Sequence, residues 1–128
     1  PGGGTALLYA SSGLEAKTTG AQIVKAACSK PFSQILVNAG WDEVDGRIMA
    51  DNLVNSGDDV WTGFNIKTGK KANMKEAGII DPTKVARTAL QNAASVAGTV
   101  LLTECTVVDE PSEESKQPQI DPSMMGMM

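Results

Sequence analysis

The chain opens with three glycines and then an apolar run, PGGGTALLYASSGL. Thr5 stands where a helix would open or be capped, Leu7, Leu8 and Tyr9 supply its apolar residues, and Gly13 weakens or ends it. EAKTTG then reads as a loop. Between Gly20 and Gly40, Ile23, Val24, Ala27, Cys28, Phe32, Ile35, Leu36 and Ala39 recur at three- and four-residue steps, the spacing of one helix face. Pro31 lies inside that pattern, and proline lacks the N–H that a helix interior uses. The pattern therefore predicts two short helices meeting at a bend. The second is capped by Ser29, carries Pro31 in its first turn and stops at Gly40.

In WDEVDGRIMADNLVNSG, Val44, Ile48, Met49 and Leu53 fall on one face and predict a short helix ended near Gly57. The pattern then changes. Val60, Trp61, Phe64 and Ile66 suit a strand and KTGK suits a turn, which predicts a β-hairpin from about Trp61 to Asn73. MKEAG reads as one helical turn stopped by Gly78. In the stretch Ala77 to Glu104, Asp81 is a good N-cap, Pro82 fits the first helical position, and Val85, Ala89, Ala93, Val96, Ala97 and Val100 form an apolar stripe of mostly small side chains. LLTECTVVDEP turns β-like, and the strand expected around Thr103–Val108 has no evident partner in the chain, so it is expected to pair with something outside it. From Ser112 the sequence is acidic, then rich in proline and methionine, and reads as a flexible tail. The expected fold is mainly α, a helical segment with a small hairpin and a C-terminal strand.

Composition narrows the chemistry. With 128 residues, 41% hydrophobic but only 4% aromatic, the chain has enough material for one core built from Ala, Val, Ile, Leu and Met. The net charge of −4 argues against a nucleic-acid footprint, which needs clustered Lys and Arg. The absence of histidine removes the commonest general base and metal ligand. Cys28 and Cys105 show no metal-binding spacing and read as two reduced, buried thiols in a reducing compartment. No apolar run has membrane-spanning length. The acidic pairs Asp42–Glu43 and Asp58–Asp59 have two readings, a divalent-ion site or a solvated helix start and turn, and the second is the simpler. The glycines Gly2–Gly4 before a helix allow close approach of a ligand, and a helix N-terminus favours anions, but no Lys-Ser/Thr follows to make a phosphate loop. Asp81 likewise has two readings, as a helix cap or as a carboxylate that accepts hydrogen bonds from a ribose.

Five segments then occur in one order: PGGGTALL, KPFSQILVNAG, GFNIKTG, MKEAGIIDPTKVARTALQNAASVAGTVLLTE and a Met-rich terminus. In that order the chain resembles the group I chaperonins, the GroEL family, from Pro1 to about Pro111, with GIIDPTKVARTALQNAASVAG as the most specific block. The resemblance is to the C-terminal half of the equatorial ATP-binding domain. It implies two segments, 1–111 from that domain and 112–128 as a Met-rich tail hanging into the ring cavity. It also implies an ATP-dependent chaperone: a double ring of heptamers that encloses non-native client proteins under a GroES-type co-chaperonin lid, without nucleic acid or membrane partners. Its compartment would be the bacterial cytoplasm or the mitochondrial matrix.

Carried over by motif, the resemblance makes Gly3 a lining residue of the nucleotide pocket. Asn65, Ile66 and Lys67 become the hairpin segment against adenine, Ile80 a neighbour of the pocket, and Asp81 the carboxylate that holds the ribose, so that Asp81 takes both of its roles. The small-residue stripe from Ala89 to Ala97 becomes a packing seam behind the pocket. The cofactors implied are ATP and Mg²⁺, with the Mg²⁺ ligands, the phosphate loop and the aspartate that activates water lying upstream. No catalytic residue is expected in this segment, and it is not expected to hydrolyse ATP alone. Three features depart from the family pattern: Ile66 and Lys67 replace two small alanines, the loop between Ser12 and Gly20 is shorter, and the tail lacks Gly-Gly-Met repeats. A second reading, a stand-alone helical binding or assembly module without ATPase activity, stands beside the first. In either case the segment is expected to expose helix faces in isolation and to be marginal or prone to aggregate.

Overall fold

The computed structural model describes residues 1–109. The predicted boundary at residue 111 and the tail 112–128 lie outside them. Among the described residues the elements run α1 (Thr5–Ser12), α2 (Thr19–Asn38), α3 (Glu43–Asn55), β1 (Thr62–Asn65), β2 (Lys70–Asn73) and α4 (Thr83–Leu101). The protein is mainly helical with one two-stranded antiparallel sheet, as expected. Pro1–Ala94 forms one compact unit, and the chain from Ser95 belongs to a second. No helix of the described residues is long and apolar enough to cross a membrane.

The core lies in the first unit, where α1, α2 and α3 pack on one another. Leu8, Phe32, Leu36, Ala50, Leu53 and Phe64 form its buried cluster, and Trp41, Met49, Val54 and Ile66 pack against them. Trp41 meets Phe64 edge-on, with ring centroids 5.2 Å apart, the arrangement that the ring quadrupoles favour.

Several expectations change for physical reasons. Pro31 does not divide the second helical pattern, because α2 runs through it as one helix of 20 residues. The carbonyl that loses its partner at Pro31 belongs to Ala27, an exposed residue, and a carbonyl open to water costs far less than a buried one. Tertiary contact then holds the turn in place. Gly4, at φ 77°, lays bare backbone against it, and a Cβ on Gly4 would stand 2.6 Å from the Phe32 nitrogen. Only glycine fits both that conformation and that distance. The cap of α2 is Thr18, whose hydroxyl accepts a hydrogen bond from the Ala21 N–H at 3.2 Å.

Helix α3 forms where expected but buries a different face. Gly46, Ala50 and Leu53 are buried, whereas Val44 and Ile48 are 60% and 52% exposed. Small residues win because α2 comes close: a Cβ on Gly46 would lie 3.5 Å from the Ser33 carbonyl oxygen. Asp42 caps the helix by accepting from the Val44 N–H at 2.8 Å.

The hairpin pairs Thr62 with Asn73 and Asn65 with Lys70, within the predicted limits. The C-terminal stretch is different. Residues 103–109 form no strand and are exposed. A strand needs a partner's backbone to hydrogen-bond, and this segment has none among the described residues. Helix α4 continues to Leu101 without burying a single residue. Its apolar stripe is present, with Val85 62% and Val96 64% exposed, so the seam expected from Ala89 to Ala97 is uncovered among the described residues. Of the two thiols, Cys28 is buried as expected and Cys105 is exposed, and both are free. Burial pushes the Cys28 thiol pKa up, which suits packing and opposes nucleophilic use.

Candidate functional site

The hairpin and the turn after it are shaped by two asparagines. Asn65 closes the hairpin: its Oδ1 accepts from the Lys67 N–H at 3.0 Å, and its carbonyl accepts from the Gly69 N–H at 2.9 Å. This is an Asx turn, in which the side chain mimics a backbone acceptor. Asn73 repeats the device after β2, its Oδ1 accepting from the N–H groups of Lys75 and Glu76 at 3.0 and 3.3 Å. The expected turn at MKEAG follows. The Ile79 N–H then donates to the Met74 carbonyl at 2.8 Å, and the Gly2 N–H donates to the Ile79 carbonyl at 2.9 Å. The start of the chain is thereby tied to the segment that leads into α4.

These ties enclose a cleft of about 380 Å³. Phe32, Ile35 and Leu36 of α2 line it together with Phe64, Met74 and Ile79. Gly3, Asn65, Ile66, Lys67 and Ala77 complete the lining. It is an apolar cleft with few polar groups and no acidic side chain, the usual character of a small-molecule site. Gly3 adds backbone without bulk, and a Cβ there would meet Met74 Cε at 3.4 Å. Lys67 is exposed and forms no ion pair among the described residues.

Of the residues singled out from sequence, the cleft brings together Gly3, Asn65, Ile66 and Lys67. Ile80 and Asp81 do not line it. Ile80 is 56% exposed, and its neighbour Ile79 takes the inward place. The Asp81 carboxylate lies beside the glycines, since a Cβ on Gly2 would come within 3.1 Å of its Oδ1. Its expected capping role is not realised. Helix α4 starts at Thr83 and its first hydrogen bonds, from Val85 and Ala86, go to the Pro82 carbonyl. Among the described residues no helix N–H bonds the Asp81 side chain, so Pro82 sits one place earlier than predicted and the carboxylate is left free of the helix. Sequence reasoning missed the contribution of α2 to the cleft, because Phe32, Ile35 and Leu36 carry the periodicity of ordinary core.

The acidic pairs serve structure. Glu43 bridges to Lys30 at 2.9 Å and Asp58 to Lys71 at 3.3 Å. Hydrogen bonding from Lys30 holds the Glu43 carboxyl below its ordinary range, and Ser56 followed by Lys71 does the same for Asp58. Among the described residues there is no cluster of three or more His, Cys, Asp or Glu side chains that could hold a metal ion.

With this geometry in hand, the comparison with known families is decisive. The chain matches the model of the TCP-1/cpn60 chaperonin family over residues 1–111. It belongs to that family. The match takes in every described element from α1 to α4 and all the residues around the cleft. The role of this chaperonin chain is therefore a chaperone role.

Proposed function

We propose that the cleft between the Gly3 backbone, α2 and the hairpin is the adenine side of an ATP site, and that Asp81 supplies the ribose contact beside it. On this reading the chain is part of a group I chaperonin, a double-ring, ATP-driven machine of heptamers that encloses non-native proteins under a co-chaperonin lid, in a bacterial cytoplasm or a mitochondrial matrix. The observation that carries the proposal is the convergence of Gly3 with the distant turn segment Asn65, Ile66 and Lys67 on one apolar cleft in a chaperonin-family chain.

The residues fit the base of the nucleotide. An apolar cleft of about 380 Å³ suits a flat heterocycle, and the hairpin turn offers hydrogen-bond donors at its edge. Bound ATP would supply the free energy that shifts subunits between conformations, through its unequal affinity for them. The residues of this segment orient the base and shield it from water. Asp81, exposed and with no helix N–H on its carboxylate, would accept hydrogen bonds from sugar hydroxyls. Mg²⁺ is not assigned to the described residues, which carry no cluster of ligands for it.

Calorimetric titration of the chain with ATP, adenosine and adenine tests this. Asp81→Ala should weaken ATP and adenosine about tenfold, the loss expected for a charge-assisted hydrogen bond, and leave adenine unchanged. Absence of binding by all three, or equal binding of ATP by both proteins, would contradict the assignment.

A further inference from the structure

Two glycines far apart in sequence hold one side chain against the cleft. Gly63 lies inside β1, where glycine weakens a strand. Its φ is not positive, so no turn requires it. What requires it is Met74. A Cβ on Gly63 would stand 2.5 Å from Met74 Cγ and 2.6 Å from Sδ, closer than a side chain can come. The Met74 methyl carbon, Cε, lies 3.1 Å from that position and 3.4 Å from where a Cβ on Gly3 would be. The thioether therefore runs over the bare Gly63 backbone and ends beside Gly3, and both Met74 and Gly3 line the cleft. Hydrogen bonds fix where it starts. The Met74 N–H donates to the Trp61 carbonyl and the Met74 carbonyl accepts from the Ile79 N–H, each at 2.8 Å. Methionine is an adaptable apolar side chain, but at 1% exposure this one is packed in place.

We propose that Met74 sets the room a base has in the cleft, and so makes the site selective for a bare adenine ring over adenines that carry added bulk. Gly63 acts through Met74, as a positioning residue. The inference rests on the assignment of the cleft as the adenine side of a nucleotide site. A close-packed side chain yields only by shifting what it packs on, and here that is the backbone of Gly63 and Gly3. An added substituent on the ring must displace the thioether or stay out. In an apolar pocket one misfitting group changes binding by about tenfold or more. A thioether beside an aromatic ring is itself a favourable contact, so the residue that limits the ring also adds to its affinity.

Calorimetric titration of the full chain compares adenosine with N6-benzyladenosine and 8-bromoadenosine, which are enlarged on different edges of the ring. The parent chain should bind adenosine about tenfold more tightly than at least one of the enlarged nucleosides. Met74→Ala should erase that preference, while Met74→Leu, close in volume, should keep it. Gly63→Ala drives the thioether into the cleft and should weaken adenosine about tenfold. Combined with Met74→Ala that loss should vanish, because the added Cβ then has nothing to displace. If Met74→Ala shows no cooperative urea transition, Met74→Val, which also removes Sδ and Cε, takes its place in both comparisons. Equal binding of all three nucleosides by the parent chain, a preference that survives loss of the thioether, or a Gly63→Ala loss that persists in the double variant would overturn the proposal and leave the adenine site standing. If the parent chain binds no adenosine, the assignment of the cleft itself fails and this inference falls with it.

Discussion

Helices α2 and α4 are nearly equal in length and opposite in fate. α2, with 20 residues, carries a proline in its interior and a ragged apolar pattern, yet buries Cys28, Phe32, Ser33 and Leu36. α4, with 19 residues, has the cleaner apolar stripe and buries nothing. The contrast separates two properties that periodicity alone confuses. An apolar stripe shows that a helix has a face to cover. It does not show that the covering surface lies within the same chain. Helix α2 has α1, α3 and the hairpin cleft around it, so tertiary packing overrides the local penalty of Pro31. Helix α4 has the better local design and no covering partner among the described residues.

The largest expected effect sharpens this contrast. Leu36 is 1% exposed, so Leu36→Ala should cost about 3 kcal/mol by urea denaturation of the first unit. Val96→Ala in α4 should change stability by less than about 0.5 kcal/mol. A comparable loss from Val96→Ala would mean that the α4 stripe is covered in solution.

Capping gives the next contrast. Asp42 bonds the α3 N–H groups and Asp81 does not bond those of α4, so Asp42→Ala should cost about 1 kcal/mol and Asp81→Ala almost nothing. Equal losses would restore the capping role of Asp81. Thr5 offers a change of opposite sign. It is fully buried, and its hydroxyl has no hydrogen-bond partner among the described residues. Thr5→Val preserves the shape and removes the unpaired group, and should raise stability by about 1 kcal/mol in the same assay.

The smallest effect is electrostatic. The folded state holds the Glu43 and Asp58 carboxyls below their ordinary range, so it favours their charged forms. That contribution is present above the ordinary carboxylate pKa and is lost as pH falls through the lowered folded values. Both groups are exposed, and exposed pairs contribute little. Lys30→Met should therefore slightly lower the melting temperature at neutral pH, and the difference from the parent chain should shrink as pH falls and Glu43 takes up its proton.

Much of the fold was legible in the residues. Gly13 and Gly57 mark helix ends, and the alternation around Phe64 with the KTGK turn places the hairpin. The misreadings have separate causes. Periodicity favours large side chains and selected Val44 and Ile48 for α3, where Gly46, Ala50 and Leu53 are the buried residues. The missing N–H of proline predicted a break at Pro31, where α2 runs on through it. The residue types near Thr103–Val108 predicted a strand, where β propensity exists without a partner among the described residues. At the site, family resemblance pointed to Gly3 and the Asn65–Lys67 turn, whereas the α2 contribution from Phe32, Ile35 and Leu36 carried no signal distinct from core. Thr18 as the α2 cap was available in the sequence, since a threonine directly before a helical pattern is a start signal.

The most direct measurement is a backbone amide NMR titration of the chain with ATP. The expected result is that Gly3, Asn65, Ile66, Lys67, Ile79 and Asp81 shift together and saturate with one affinity, while Ser95 to Leu101 of α4 stay unmoved. Shifts confined to α4, or no saturable shift around the cleft, would contradict the account.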